Sequence, residues 1–374
     1  MINENRTMNI GIVGCGAIAA PHVTTLMSLK DEKASQNTKE RIGKVQLHLF
    51  DLEISTAKAL NEKYELDAEI HDSYQSLLSA KLDAVHILTP PSSHAHLASE
   101  ALNKGINVLV EKPFTTRYEE AIELYGIAKK NNVLLCVDHS TLFMPNVRAL
   151  LKRIRSGEFG RPIAFNCFYG HAESKGKIPY KDPSHWAYRM PGGLLINHVS
   201  HPASLLVELM GAPKSIVSQR NSYTILPDEM PDSLSISVMS ETGMGTITVA
   251  MAQGNHHRHA TIWCEKGTIM LDLTRQTIVE TKHNGPIGLI PKMVGGVMSG
   301  VGQVRETVGV GVKVVSKKLK REPGVRALVE EFTFAVRSGN QAPVSEENAL
   351  GVQAIIEQAL FDNDVLTNGI EDKK

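Results

Sequence analysis

Residues Asn9 to Ala20 read NIGIVGCGAIAA, a short apolar run followed at once by a glycine-rich turn. Ile10, Ile12 and Val13 are predicted to form a first buried β-strand. Gly14, Gly16 and Ala19 then take the first, third and sixth places of the pattern G-x-G-x-x-[GA]. The first glycine permits the tight turn, the second lets the backbone approach a pyrophosphate, and the small third residue lets the next helix pack closely on the strand. That helix aims its unpaired amides at the phosphates. Gly14, Cys15, Gly16, Ala17 and Ile18 are therefore predicted to hold a dinucleotide, although such turns also occur without a ligand.

Working outward, a polar stretch from Lys30 to Arg41 leads to a second apolar strand, VQLHLFD, which ends at Asp51. A carboxylate here can bind the adenosine ribose hydroxyls and repel a 2′-phosphate, which favours NAD over NADP; the plainer alternative is an acidic turn residue. Asp51 lies 35 residues after Gly16 rather than the usual ~20, and the polar insertion absorbs the excess. Strand signals recur at Ala84–Thr89, Asn107–Val110 and Val133–Val137, with helical patterns between them. This alternation predicts an α/β, doubly wound parallel sheet, whose ligands lie beyond the C-terminal strand ends. Those ends carry Asp51, Thr89-Pro90-Pro91, Glu111-Lys112-Pro113 and Asp138-His139.

From about Ile163 to Glu280 the texture changes to alternating apolar and polar residues, as in SLSISVMS and GTITVAMA. This predicts an antiparallel sheet with one covered face. A length of 374 residues fits two domains. The division expected is 1–142 for dinucleotide binding and 143–374 for an α+β domain that binds substrate and joins subunits.

Forty basic and 40 acidic side chains leave no global field to recruit nucleic acid. No signal core or membrane-length apolar run is visible, so the expected location is the cytoplasm. Cys15, Cys136, Cys167 and Cys264 are scattered and read as buried, reduced thiols. No metal site is predicted, and His256, His257 and His259 lack a nearby carboxylate in sequence.

The order of motifs resembles the Gfo/Idh/MocA family of NAD(P)-dependent oxidoreductases, the glucose-fructose oxidoreductase and inositol dehydrogenase type. The matching pieces are GIVGCGAIA, LFD, TPPSSHAHLASEALNKGINVLVEKP, GGLLINHVSH and the strand GTIMLDL. The resemblance implies a Rossmann domain joined to an open-faced sheet domain. It also implies cofactor contacts at Gly14 to Ile18, Asp51, Thr89, Pro90, Pro91, His94, Glu111 and Lys112. Lys112 would lie near the reacting hydroxyl and the nicotinamide, with Pro113 after a cis bond.

The same resemblance makes Lys112, Asn197 and His201 the catalytic candidates. Asn197 stands where many members carry aspartate, and the i, i+4 spacing puts Asn197 and His201 on one helical face. Oxidising a secondary alcohol requires loss of its hydroxyl proton near pH 7, and an imidazole with its ordinary pKa of about 6.5 suits that step. Lys112 would stabilise alkoxide charge. An amide orients a hydroxyl but carries no proton, so Asn197 shifts acid-base work onto His201 and Lys112. Next door, His198 points roughly 100° around the helix and reads as packing. Tyr180, Trp186 and Arg189 are expected to wall the substrate pocket, together with Lys112, Asn197 and His201.

From Ile290 to Leu319 apolar residues recur every three or four positions, which predicts a helical insertion over about 290–320. Between Pro291 and Arg321 there are seven Lys or Arg against the single Glu306. Such a stripe suits its own sheet, a second subunit, or an anionic membrane surface.

The function expected is therefore NAD(H)-dependent hydride transfer at a secondary carbon of a sugar or sugar derivative, a nucleotide sugar being favoured. A redox-assisted glycoside hydrolase, an inositol dehydrogenase and a non-catalytic NAD-binding sensor are the alternatives. A homo-oligomer, dimer or tetramer, is expected.

Overall fold

The computed structural model describes residues 6–29, 43–172, 186–190, 192–223, 226, 230–253, 257–282, 289–316 and 322–361. They form two compact units, one of residues 1–143 with 322–353 and the other of 144–321 with 354–374.

In the first unit strands and helices alternate in the order β1 (Met8–Val13), α1 (Ala19–Ser28), β2 (Val45–Phe50), α2 (Ile54–Tyr64), β3 (Glu69–Ile70) and α3 (Tyr74–Leu78). There follow β4 (Ala84–Ile87), α4 (His94–Asn103), β5 (Asn107–Val110), α5 (Tyr118–Asn131) and β6 (Leu135–Val137). The sheet order is β3-β2-β1-β4-β5-β6, and its paired strands are parallel. This is the 3-2-1-4-5-6 order of a Rossmann fold. Covered on both faces, its strands read as apolar runs rather than alternations: Ile10, Ile12, Leu47, Leu49, Val85, Ile87, Val108 and Val110 have no exposed surface. Among these strands only β3 escaped the sequence reading, because two residues carry no periodicity.

The second unit contains α6 (Pro145–Arg155), β7 (Pro162–Ala172), α7 (Gly193–Met210), β8 (Pro213–Asn221), β9 (Ser233–Ser240), β10 (Met244–Gln253), β11 (His257–Cys264), β12 (Gly267–Asp272), β13 (Thr277–Lys282) and α8 (Leu289–Val315). Its sheet runs β13-β12-β11-β7-β10-β9-β8. The expected antiparallel pairing holds except between β7 and β10, which are parallel, so the sheet is mixed. One face buries Phe165, Cys167, Ile236, Ile247, Ile262 and Leu271. The alternate positions leave Met239, Met244, Trp263 and Met270 exposed.

Helix α9 (Pro323–Ser338) packs with the first unit, and α10 (Glu346–Phe361) begins in the first unit and ends in the second. The sequence reading assigned everything beyond residue 142 to the second domain; residues 322–353 belong instead with the first. The reason is packing: the Phe332 ring meets His86 of β4 edge-on at 5.8 Å, and Arg326 donates to Thr24 Oγ1 of α1 at 3.1 Å. No helix among the described residues is long and apolar enough to cross a membrane.

Candidate active site

The glycine turn joins β1 to α1 as its composition demands. Gly14 has φ +89°, and a Cβ there would lie 2.9 Å from the carbonyl carbon and oxygen of Leu88. Nothing lies within 4 Å of a Cβ built on Gly16, so that position opens onto free space where a ligand backbone can approach. Ala19 is fully buried at the start of α1. The space at each glycine is compatible with its place in the motif, and the turn leaves room for a dinucleotide pyrophosphate.

Asp51 closes the same turn from the end of β2. Its Oδ2 accepts the Cys15 amide at 2.7 Å and its Oδ1 accepts the Glu53 amide at 3.0 Å. Each carboxylate oxygen retains lone-pair capacity for a ribose hydroxyl. Leu52, next in sequence, is 91% exposed, an apolar surface beside the carboxylate that sequence reasoning passed over. The Cys15 thiol is buried, and burial followed by the Asp51 charge pushes its pKa up to about 12.

At the ends of β4 and β5, Thr89 Oγ1 and Ser93 Oγ lie 2.7 Å apart, and Pro91 opens a short 3-10 turn leading into α4. His94 is fully buried, with Nε2 2.7 Å from the Thr89 carbonyl and Nδ1 3.1 Å from those of Pro113 and Phe114. Burial lowers its pKa, the three carbonyls oppose that, and Lys112 adds to it. The side chain expected to touch the cofactor is therefore a clamp that ties the Thr89 loop to the Lys112–Pro113 segment. That peptide bond is cis.

Glu111 Oε2 accepts the Lys112 amide at 2.5 Å. The residue keeps some exposed surface, yet desolvation by the surrounding protein pushes its pKa up to about 8, with Lys112 pulling down and Asp138 pushing up. Asp138 is buried, its Oδ2 3.4 Å from His22 Nε2, and His22 Nδ1 lies 3.0 Å from His86 Nδ1. Burial, then His22, holds His86 neutral well below its ordinary value. Sequence reasoning saw Asp138 at a strand end but not its buried histidine partner, which comes from α1.

In the second unit, α7 presents Asn197 and His201 one turn apart, both half-buried. The His201 ring stacks on Tyr169 of β7 at 5.6 Å and 16°. His198 is buried, 6.0 Å from the Tyr169 ring and edge-on to His171 at 4.6 Å. Arg258 Cζ stands 4.6 Å from the same Tyr169 ring, because β11 pairs Arg258 with Tyr169. Tyr169, His171 and Arg258 were not singled out from sequence; the signal available was Tyr169 and His171 at i, i+2 on one strand face. His257 and His259 share a surface with rings 5.0 Å apart, as alternation on a strand requires.

Beside the start of α7 an open cavity of about 490 Å³ is lined by Met190, Gly192, Gly193, Arg220, Ser222 and Met230, among others. Tyr180 lies outside the described residues, and of Trp186 and Arg189 only the backbone is described, in a short 3-10 turn. Tyr188 between them is buried.

Residues 8–139 match the oxidoreductase family model with an NAD-binding Rossmann fold, and residues 147–270 match the GFO/IDH/MocA C-terminal domain. The chain belongs to the Gfo/Idh/MocA family. An uncharacterized oxidoreductase of Schizosaccharomyces pombe is 32% identical over 152 residues, and this match spans only 40% of either chain. The dTDP-3,4-didehydro-2,6-dideoxy-alpha-D-glucose 3-reductase of Saccharopolyspora spinosa is 25% identical over 272 residues, 71% of this chain and 75% of the reductase. Among solved structures, the WlbA dehydrogenase from Bordetella pertussis in complex with NADH and UDP-GlcNAcA has a TM-score of 0.74 at 20% identity. It covers 96% of this chain and 95% of its own, a likeness of fold. As a Gfo/Idh/MocA protein the chain carries an NAD-binding Rossmann unit, and the open turn at Gly16 with the keyed Asp51 is the part of it that suits that cofactor.

Proposed function

We propose that this Gfo/Idh/MocA protein is an NAD(H)-dependent oxidoreductase acting on a secondary carbinol of a sugar or sugar derivative, with a nucleotide sugar as the favoured substrate. The observation that carries the reading is the α7 face: Asn197 and His201 lie side by side, and stacking on Tyr169 restrains the His201 ring. Gly14 to Ile18, Asp51, Thr89, Pro90 and Pro91 would hold NAD, which when bound would supply the hydride acceptor for oxidation of the alcohol to a ketone. The hydroxyl proton passes to the His201 imidazole, Asn197 orients the hydroxyl, and the Lys112 ammonium offsets negative charge on the reacting oxygen. Glu111, whose pKa burial pushes up to about 8, places little negative charge beside Lys112 near neutrality. The nucleotide-sugar preference draws support from the dTDP-sugar named for the reductase and from the UDP-GlcNAcA bound to WlbA.

The test is NADH formation by the purified protein with UDP- and dTDP-sugars, free hexoses, inositols and glycosides. Turnover with a nucleotide sugar supports the reading in full. Turnover only with inositol or a free sugar overturns the substrate class. Release of sugar from a glycoside without net NADH marks a hydrolase, and saturable NAD binding without turnover of any substrate marks a sensor.

The reading extends to assembly and location. Exposed Met239, Met244, Trp263 and Met270 on the open sheet face, and an exposed valine stripe on α8, support a homo-oligomer. Along that stripe Val297, Val301, Val304, Val308 and Val312 are 57–66% exposed and Val315 is 84% exposed. The segment is helical as its periodicity predicts and touches the sheet at β13, while these valines stay exposed among the described residues, which supports a second subunit over sheet capping as their cover. Four free, buried cysteines suit a cytoplasmic location.

A further inference from the structure

At the edge of the Rossmann sheet, parallel pairing sets His48 of β2 opposite Glu69 of β3. His71 follows Glu69 by two residues and stays in register through its amide, which donates to the Leu49 carbonyl at 2.9 Å. Residues i and i+2 share a strand face, so the three side chains converge. His48 Nδ1 is 3.1 Å from His71 Nε2 and 3.5 Å from Glu69 Oε2, and His71 Nε2 is 3.9 Å from Glu69 Oε1. Among the described residues this is the one group of three such side chains close enough to share a metal ion. A tetrahedral ion with nitrogen ligands at 2.0–2.1 Å needs ligand-to-ligand edges of about 3.3–3.4 Å, which these distances bracket.

We propose that His48, Glu69 and His71 bind a divalent transition-metal ion of the zinc type. Two imidazole nitrogens select such an ion over magnesium or calcium, which take oxygen ligands. His71 Nδ1 lies 3.1 Å from Ser76 Oγ of α3, the outer hydrogen bond that turns the opposite nitrogen toward a metal. Both imidazoles are buried whereas the Glu69 side chain is 63% exposed, so the ion enters from the carboxylate side and water can complete its coordination. The bound ion would pin the two-residue β3 to β2. Neither periodicity nor short ligand spacing reveals this site, because the ligands lie 21 and 2 residues apart in sequence and meet only through strand pairing.

The experiment uses the full-length protein, stripped with a chelator, dialysed, and titrated with Zn²⁺ against a chromogenic chelator while thermal unfolding is followed. One equivalent of zinc is expected, with a Tm that rises with zinc concentration. Glu69→Gln and Ser76→Ala should each weaken binding by about tenfold or more, and His71→Ala should abolish it. A His257→Ala, His259→Ala double variant should bind as the unaltered protein does. Should His71→Ala fail to fold, Glu69→Gln decides, since its side chain faces solvent. Absence of zinc binding, binding indifferent to Glu69→Gln, or binding lost in the His257, His259 variant each overturns the proposal.

Discussion

The Cys15 main-chain amide donates to Asp51 Oδ2 at 2.7 Å, so the carboxylate proposed to bind the nucleotide also holds the glycine turn in shape. A charge-assisted bond of this kind contributes roughly 1.5–3 kcal/mol. Asp51 therefore has two roles that substitution will reveal together. Asp51→Ser is expected to weaken NAD binding by about tenfold or more and to narrow the preference over NADP, measured by fluorescence titration of both cofactors. Equal affinity of the unaltered protein for NAD and NADP would show that Asp51 does not discriminate.

The two turn glycines should separate folding from binding. Gly14→Ala places a Cβ at positive φ against the Leu88 carbonyl, so it should lower the Tm. Gly16→Ala meets no protein atom within 4 Å, so the Tm should hold while NAD affinity falls. Thermal denaturation with and without NAD distinguishes the two, and the reverse pattern would remove Gly16 from the pyrophosphate site.

Lys112→Ala and His201→Ala are each expected to lower kcat by roughly 10²- to 10⁴-fold, the usual contribution of acid-base groups. NAD affinity should change little, because both are proposed to act at the hydroxyl. A His201→Ala variant within about threefold of the unaltered kcat, far short of that contribution, would exclude it as the base. Asn197→Asp should alter the pH profile more than the maximal rate.

Glu111 makes stability fall as the medium turns alkaline. Its folded pKa, pushed up to about 8 by burial, exceeds its ordinary carboxyl value, so the folded state holds the proton more tightly. Its contribution is full at low pH and is lost as pH rises from the carboxylate range through about 8. Glu111→Gln, which keeps the shape without the charge, should match the unaltered Tm near pH 5 and exceed it increasingly toward pH 8.5. A Tm difference independent of pH would refute the assignment.

Val301 and Val304 are 57% and 65% exposed in the single chain, so Val301→Asp and Val304→Asp should leave secondary structure intact. Covering a valine side chain stabilises by roughly 1.5 kcal/mol or more, and an aspartate at a subunit contact forfeits that and adds a desolvation cost. Sedimentation velocity should show a smaller assembly. Unchanged mass together with lost binding to anionic vesicles would transfer the stripe to a membrane role.

Local pattern alone determined much of this protein. The apolar runs of β1, β2, β4 and β5, the G-x-G-x-x-A turn, Asp51 at a strand end, the 3.6-residue stripe of α8 and the i, i+4 pair Asn197 and His201 are legible because each depends on neighbours within a few residues. What joins distant segments was decided by tertiary structure. The two-residue β3 exists only by pairing with β2. His94 became a clamp because β4 and β5 bring three carbonyls around its ring. Tyr169 met His201 because α7 lies along β7, and residues 322–353 rejoined the first unit because α9 packs on α1. The valine stripe shows the division most plainly: periodicity set the helix and its apolar face, whereas only the packed chain revealed that its valines stay exposed among the described residues, since burial depends on surfaces far apart in sequence.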